Sequence, residues 1–127
     1  MREIKTHIVE GDAANHQVTI TARDEPGSGG ANHIYGIEWP TKNNPDTEVD
    51  QLVISFQNGP IKEFGVNGIT QEALLAIVAD RLKSFQDGPF ACESNQKALD
   101  YTLLALSFLQ DRTRARVARG VEGTYKV

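Results

Sequence analysis

Four arginines near the carboxyl end of the chain are the residues best suited to chemistry with an anion. Within eight positions free of acidic residues stand Arg112, Arg114, Arg116 and Arg119. A guanidinium group is always charged, and its fork of N–H donors matches phosphate oxygens. On a helix three of these side chains share one face, and Arg114 points roughly the opposite way. The spacing predicts an anion site, but basic residues in the last helical turns also complement the helix dipole, so both interpretations stay open.

Two aromatic residues and an asparagine flank a tight turn about twenty residues earlier. Phe85 precedes the segment Asp87-Gly88-Pro89, and Phe90 and Asn95 follow it. A phenylalanine ring can stack on a nucleobase, and an asparagine amide can hydrogen-bond a base edge or a hydroxyl. Composition alone favours the alternative that both rings are core residues.

The end of the chain offers a further way to hold phosphate. Gly123 and Thr124 follow Arg119 closely, and glycines expose backbone N–H groups that can cradle an anion. Composition alone favours a flexible end instead. The sequence contains no recognisable catalytic constellation and no metal-ligand spacing, so we predict neither an enzyme nor a resident cofactor or metal.

The overall charge narrows the class of partner. The chain of 127 residues has a formal net charge of −4, and removing the four clustered arginines leaves −8. Focused positive charge on an acidic chain suits a small anion better than a nucleic-acid polymer. With a single cysteine and no apolar run of the ~20 residues that a membrane span needs, we expect a soluble, cytosolic protein.

The sequence pattern changes near Thr70 from strand-like to helical, and the elements predicted on the two sides must position these residues. Before it, short runs with β-type patterning alternate with turn-rich segments and predict strands at residues 4–9, 17–22, 33–39 and 52–56. After it, Thr70 is the predicted N-cap of a helix that ends at Asp87-Gly88-Pro89, and a second helix runs from about 91 or 93 to about 116. The predicted fold is α+β: a small N-terminal antiparallel sheet in residues 1–69, then a two-helix hairpin and tail in residues 70–127, together one compact unit.

The second helix is apolar nearly all round. Residues 101–109 read Y-T-L-L-A-L-S-F-L, whereas a surface helix needs only one apolar stripe. One face would pack on its own chain and the other on a different chain. The pattern therefore predicts a homo-oligomer.

The residues around the turn and the arginines resemble a known phage family. G-P-F-A-C-E-S-N followed by R-T-R-A-R-V-A-R-G-V-E-G-T-Y is similar to a helical hairpin, over about residues 65–127, of the Thoeris anti-defence proteins of the first type. A smaller phage anti-CBASS cyclic-nucleotide sponge shares this hairpin. The β-rich first half of the chain favours the Thoeris anti-defence member, because the smaller sponge is essentially helical.

The resemblance implies a function in the cytoplasm of the infected bacterial host. Thoeris systems use a TIR-domain enzyme to convert NAD into a cyclic ADP-ribose isomer that activates an effector. Proteins of this family bind that signal tightly without cleaving it, and some also hold cyclic di- or trinucleotides of CBASS defence in separate pockets. Family members resemble dimers that assemble further into hexamers, as trimers of dimers.

The resemblance also implies roles for individual residues. Phe85 would stack on the adenine, and Asn95 would hydrogen-bond the ligand. Arg112 would clamp the diphosphate, with Arg116 on its helix face, and Arg23 is a candidate for a second phosphate contact. A separate site for a cyclic trinucleotide would use Arg119, Gly123 and Thr124. A nucleotide-degrading enzyme and a phage structural or assembly protein are the alternative functions.

Helix length places a condition on this site. Asn95 and Arg112 are 17 residues apart on one predicted helix, and a rise of ~1.5 Å per residue separates them by ~25 Å. The ligand is only ~10 Å across. If the helix is straight, the pocket must lie between chains, with the turn of one hairpin facing the arginines of another.

Overall fold

The computed structural model describes all 127 residues. Its sheet has four strands, β1 (Arg2–Ile4), β2 (Thr19–Ala22), β3 (Ile34–Pro40) and β4 (Val49–Ser55), ordered β1-β2-β3-β4. Each neighbouring pair is antiparallel, with Ile37 opposite Ile20 on one side and Leu52 on the other. The predicted α+β fold with an N-terminal antiparallel sheet is therefore confirmed.

The first predicted strand is largely wrong. Residues 4–9 share only Ile4 with β1, because the chain leaves the sheet there and enters turns. The His7 ring lies 2.7 Å from the Val18 carbonyl oxygen, a long-range contact that the local apolar pattern could not reveal. A short helix that the sequence did not predict, α1 (Ala13–His16), follows, and the Asp12 carboxylate caps it.

Glycine is required at position 36 by the close approach of an arginine. A Cβ there would lie 2.1 Å from Arg23 Cζ, so the bare glycine leaves room for the guanidinium to cross the sheet. Ala22, which follows the strand partner of Gly36 in β2, is 1% exposed.

Asp24 organises the loop between β2 and β3. Its carboxylate accepts hydrogen bonds from the backbone N–H groups of His33 and Ile34 and from the Asn32 side chain. Desolvation opposes the charged form, but these hydrogen bonds outweigh it and hold the pKa of Asp24 below its ordinary value of 3.8. The glycine-rich loop is thereby tied to the start of β3.

The remaining elements are helices: α2 (Ile61–Phe64), α3 (Gln71–Gln86) and α4 (Glu93–Ala118). Thr70 caps α3 as predicted, since its Oγ1 accepts a hydrogen bond from the Ala73 N–H at 3.1 Å. Asp87 ends α3, and Cys92 caps α4 through its sulfur. The predicted two-helix hairpin is confirmed, with α4 ending two residues later than expected.

Helix α3 buries little of its apolar surface in the single chain. Ala79 is the buried residue of the helix, whereas Ile77 and Val78 are 60% and 45% exposed. Ala79 and Leu99 are the buried apolar residues of α3 and α4. The hairpin thus shows an apolar surface on α3 as well as on α4.

The chain divides into two compact units. The sheet unit comprises Met1–Gly59 and Phe64–Ile69, and the hairpin unit comprises Pro60–Glu63 and Thr70–Val127. The change of character near Thr70 coincides with a boundary, while the short segment Pro60–Glu63 belongs with the hairpin. No helix combines the length and the apolar character that crossing a bilayer requires.

Asp24 makes the sheet unit sensitive to acid. Because its folded-state pKa is depressed, its contribution is complete above 3.8 and is lost as pH falls through the folded value. Asp24→Asn should lower the thermal unfolding temperature at pH 7 and flatten its fall below about pH 4. Glu25→Gln is the matched control, and equal pH profiles for the two variants would contradict this role.

Candidate functional site

The turn of the hairpin holds a pocket of about 360 Å³. Three of the side chains predicted to bind a ligand meet there, on the end of α3, the turn and the start of α4. The lining residues are Val78, Arg81, Leu82, Phe85, Phe90 and Asn95. The volume lies within the range of small-molecule sites, and the lining combines aromatic surface with few polar groups.

The two phenylalanine rings form an open aromatic corner. Their centroids are 6.5 Å apart and their planes meet at 79°. Phe85 is 38% and Phe90 72% exposed, so the alternative that both rings are core residues is wrong for Phe90. An edge-to-face pair that keeps ring surface accessible can accept a flat, unsaturated group.

Gln86 fixes the turn that carries these rings. Its amide nitrogen donates to the Cys92 carbonyl at 3.0 Å, and its amide oxygen accepts from the Cys92 N–H at 3.0 Å. The same nitrogen lies 3.2 Å from Gln96 Oε1. One side chain therefore joins the end of α3 to the start of α4, where Asn95 is half-buried against the pocket.

Arg81 is a lining residue that the sequence reasoning missed. Its Cζ lies 5.3 Å from the centroid of the Phe85 ring, a cation–π distance. Its position could have been predicted from the sequence, because an arginine and a phenylalanine four residues apart lie next to each other on one face of a helix.

The arginines at the far end of α4 divide into two kinds. Arg114 pairs with Asp111 at 2.6 Å, and Arg116 is 8% exposed and bonds Glu122 at 3.0 Å. Arg112 and Arg119 are exposed and have no salt bridge. The four positive charges are thus not equally available to an anion, although the sequence between them contains no acid.

Arg116 organises the tail of the chain. Besides Glu122, it donates to the backbone carbonyls of Val121 and Thr124 at 3.0 and 3.1 Å and to that of Lys126. These bonds occupy its guanidinium fork, so we assign it a structural role and leave it out of the proposed site. The physical reason is that the tail folds back beside the helix, which spacing on the helix cannot reveal.

The tail itself is folded, so the alternative of a flexible end is wrong. Gly123 has a positive φ of 80°, and its carbonyl accepts a hydrogen bond from the Lys62 N–H. The Thr124 hydroxyl is engaged with the Val121 carbonyl. Of the three residues predicted for a second nucleotide site, Arg119 alone presents a free charged side chain, and that site remains a prediction.

Arg23 lies in the sheet unit. Its guanidinium is 3.4 Å from Glu38 and 3.3 Å from Gln51 Oε1. Its charge is therefore partly balanced within the sheet, and its role as a second phosphate contact remains a prediction.

The structure keeps Asn95 and Arg112 far apart, as the predicted length of the helix required. Asn95 and Arg112 lie on α4, which runs unbroken from Glu93 to Ala118, so ~25 Å separates them along its axis. The pocket at the turn and Arg112 of the same chain cannot meet on one small ligand.

Part of the chain matches the sequence model of a known domain family. The sequence model described as "Acb2/Tad1, hairpin domain" matches residues 48–102, a range that contains all six residues lining the pocket. This range begins earlier and ends sooner than the residues 65–127 on which the resemblance was based. The segment that holds the pocket is therefore similar to the Acb2/Tad1 hairpin domain.

The chain is also similar to a phage protein of known name. The chain is 44% identical over 73 residues to Thoeris anti-defense 1 of Bacillus phage SBSphiJ7, which covers 58% of this chain and 51% of the relative. It therefore spans about half the length of the curated relative that it matches. Together the two matches confirm the resemblance to the Thoeris anti-defence proteins.

Arg116 and Arg114 offer a test of the structural assignment. Arg116→Ala removes a buried group with four acceptors and should cost about 2–3 kcal/mol of unfolding free energy. Arg114→Ala, which breaks only an exposed pair, should change it by less than about 0.5 kcal/mol. Urea unfolding measures both, and equal midpoints would contradict the assignment.

Proposed function

We propose that this chain is a phage anti-defence protein that binds and sequesters, without cleaving, the cyclic ADP-ribose isomers made by bacterial TIR-domain immunity. The observation that carries the proposal is the pocket at the hairpin turn, where Phe85, Phe90 and Asn95 converge inside the segment that matches the Acb2/Tad1 hairpin. The named relative is an anti-defence protein against Thoeris.

The pocket supplies the contacts that a nucleobase needs. Adenine presents a flat π face, which the exposed surface of Phe85 or Phe90 can cover, with ~1–3 kcal/mol typical of one stacked base. The amide of Asn95 carries both a donor and an acceptor and can pair with a base edge or a ribose hydroxyl. Because Gln86 ties the two helices together, these groups are ordered before the ligand arrives, which reduces the cost of binding.

Arg112, the predicted diphosphate contact, can reach this pocket only from another chain. Arg112 is exposed and unpaired, but it is ~25 Å along α4 from Asn95. If two copies of α4 pair in antiparallel fashion, the turn of each hairpin faces Arg112 of the other, and two-fold symmetry creates two equal pockets.

The surface of α4 supports such a pairing. Large apolar side chains in the middle of the helix are exposed on the single chain, by 69% at Tyr101, 49% at Leu104 and 67% at Phe108. Exposed apolar surface of this kind marks an interaction site. A dimer built on this surface, and a hexamer of three dimers, are the assemblies we propose.

Sequestration needs affinity and no catalysis. A protein that holds the signal with nanomolar affinity, worth ~12 kcal/mol, would keep it from the effector that it activates. Two negative phosphates would meet the free guanidinium of Arg112 in a site partly shielded from water, where charge-assisted hydrogen bonds are strong. A cyclic trinucleotide site at Arg119 and the folded tail is a separate and lesser proposal.

Calorimetric titration with a panel of cyclic ADP-ribose isomers and cyclic oligonucleotides tests the function. We expect stoichiometric binding of a cyclic ADP-ribose isomer and recovery of unaltered ligand, by mass spectrometry, after heat denaturation. Arg112→Ala should weaken binding by about 10- to 100-fold, because it removes a charge-assisted contact, and Arg114→Ala should not.

Two results would contradict the proposal and point to its alternatives. Chemically altered ligand, produced in excess over the protein, would indicate a nucleotide-degrading enzyme. A stable oligomer with no affinity for any member of the panel would indicate a structural or assembly protein.

A further inference from the structure

The aromatic pocket contains a cation of its own. Arg81 lies on α3, one turn before Phe85, and its side chain lines the pocket. Unlike Arg23, Arg114 and Arg116, it has no carboxylate partner. Its one close contact of note is the Phe85 ring, at 5.3 Å from Cζ to the ring centroid.

This contact leaves the hydrogen-bonding capacity of Arg81 unused. A cation held over a ring interacts with the π electrons, which at an exposed site holds the group only weakly. The guanidinium has five N–H donors in a fixed fork, and none of them bonds to another group of the chain. The side chain is therefore oriented towards the pocket without being neutralised.

The proposed ligand needs such a group. A diphosphate carries two negative phosphates, and Arg112 of a neighbouring chain supplies one guanidinium. The Arg112 of the same chain is ~25 Å from Asn95 along α4 and cannot supply the other. Arg81 is already beside the ring on which the base would stack.

We propose that Arg81 contacts a phosphate of the bound nucleotide directly, from the same chain that supplies Phe85 and Asn95. This inference rests on the proposed function. One chain would then contribute a stacking ring, an amide and a cation, and the neighbour would add Arg112, so that two guanidinium groups meet two phosphates. The pocket would bind phosphate-bearing nucleotides in preference to uncharged nucleosides, since a nucleoside offers no anionic partner to Arg81.

A purely structural role for Arg81 makes a different prediction. If it only holds the Phe85 ring in place, its loss would weaken binding equally at every salt concentration, because ring position does not depend on screening. A direct contact with a phosphate is electrostatic, and added salt screens it.

The test is calorimetric titration of the full chain with cyclic ADP-ribose isomers and a cyclic dinucleotide, at about 50 and about 300 mM NaCl. Arg81→Gln should weaken binding by about tenfold at low salt, and its affinity should depend less on salt than that of the unmodified protein. Lys83→Gln removes a positive charge from the same helix outside the pocket lining and should match the unmodified protein.

Two results would overturn the inference while leaving the proposed function intact. One is unchanged affinity of Arg81→Gln, and the other is weakened affinity with an unaltered salt dependence. If the unmodified protein binds no member of the panel at either salt concentration, the proposed function fails and this inference fails with it.

Discussion

The length of α4 determines where a complete ligand site can form. A helix of 26 residues is a rigid rod, and it carries Asn95 near one end and Arg112 near the other. Whatever binds at the hairpin turn is therefore out of reach of Arg112 of the same chain. Either the two sites act separately, or a second copy brings them together, and the exposed apolar residues between them favour the second possibility.

At each end of α4, a polar side chain makes hydrogen bonds to backbone groups and so holds the neighbouring segment in place. At the turn, Gln86 holds both the N–H and the carbonyl of Cys92, and at the far end Arg116 gathers the carbonyls of the folded tail. Neither residue is offered to a ligand, yet each fixes a segment next to residues that are. A protein that acts by holding a small molecule gains from this order, since less freedom is lost on binding.

The sequence predicted the elements whose signals are local. Thr70 marks the start of α3, and the Gly88-Pro89 pair follows its end. The alternating pattern of residues 17–22 predicted β2, although the first two of those residues lie outside the strand. The first strand was misplaced because the contact of His7 with Val18 overrides local pattern. Helical periodicity put Arg112 and Arg116 on one face, but it could not reveal that the tail folds back and buries one of them. Arg81 was not predicted because a single arginine four residues before a phenylalanine is a weaker signal than four arginines within eight residues.

Mixing two defective variants tests whether each site combines the turn of one chain with Arg112 of another. Phe85→Ala and Arg112→Ala should each bind the cyclic ADP-ribose isomer poorly alone. After subunit exchange at equal concentrations, mixed dimers should each contain one intact pocket, so about a quarter of all pockets should regain full affinity. A mixture that binds no more ligand than the two variants separately would contradict the account.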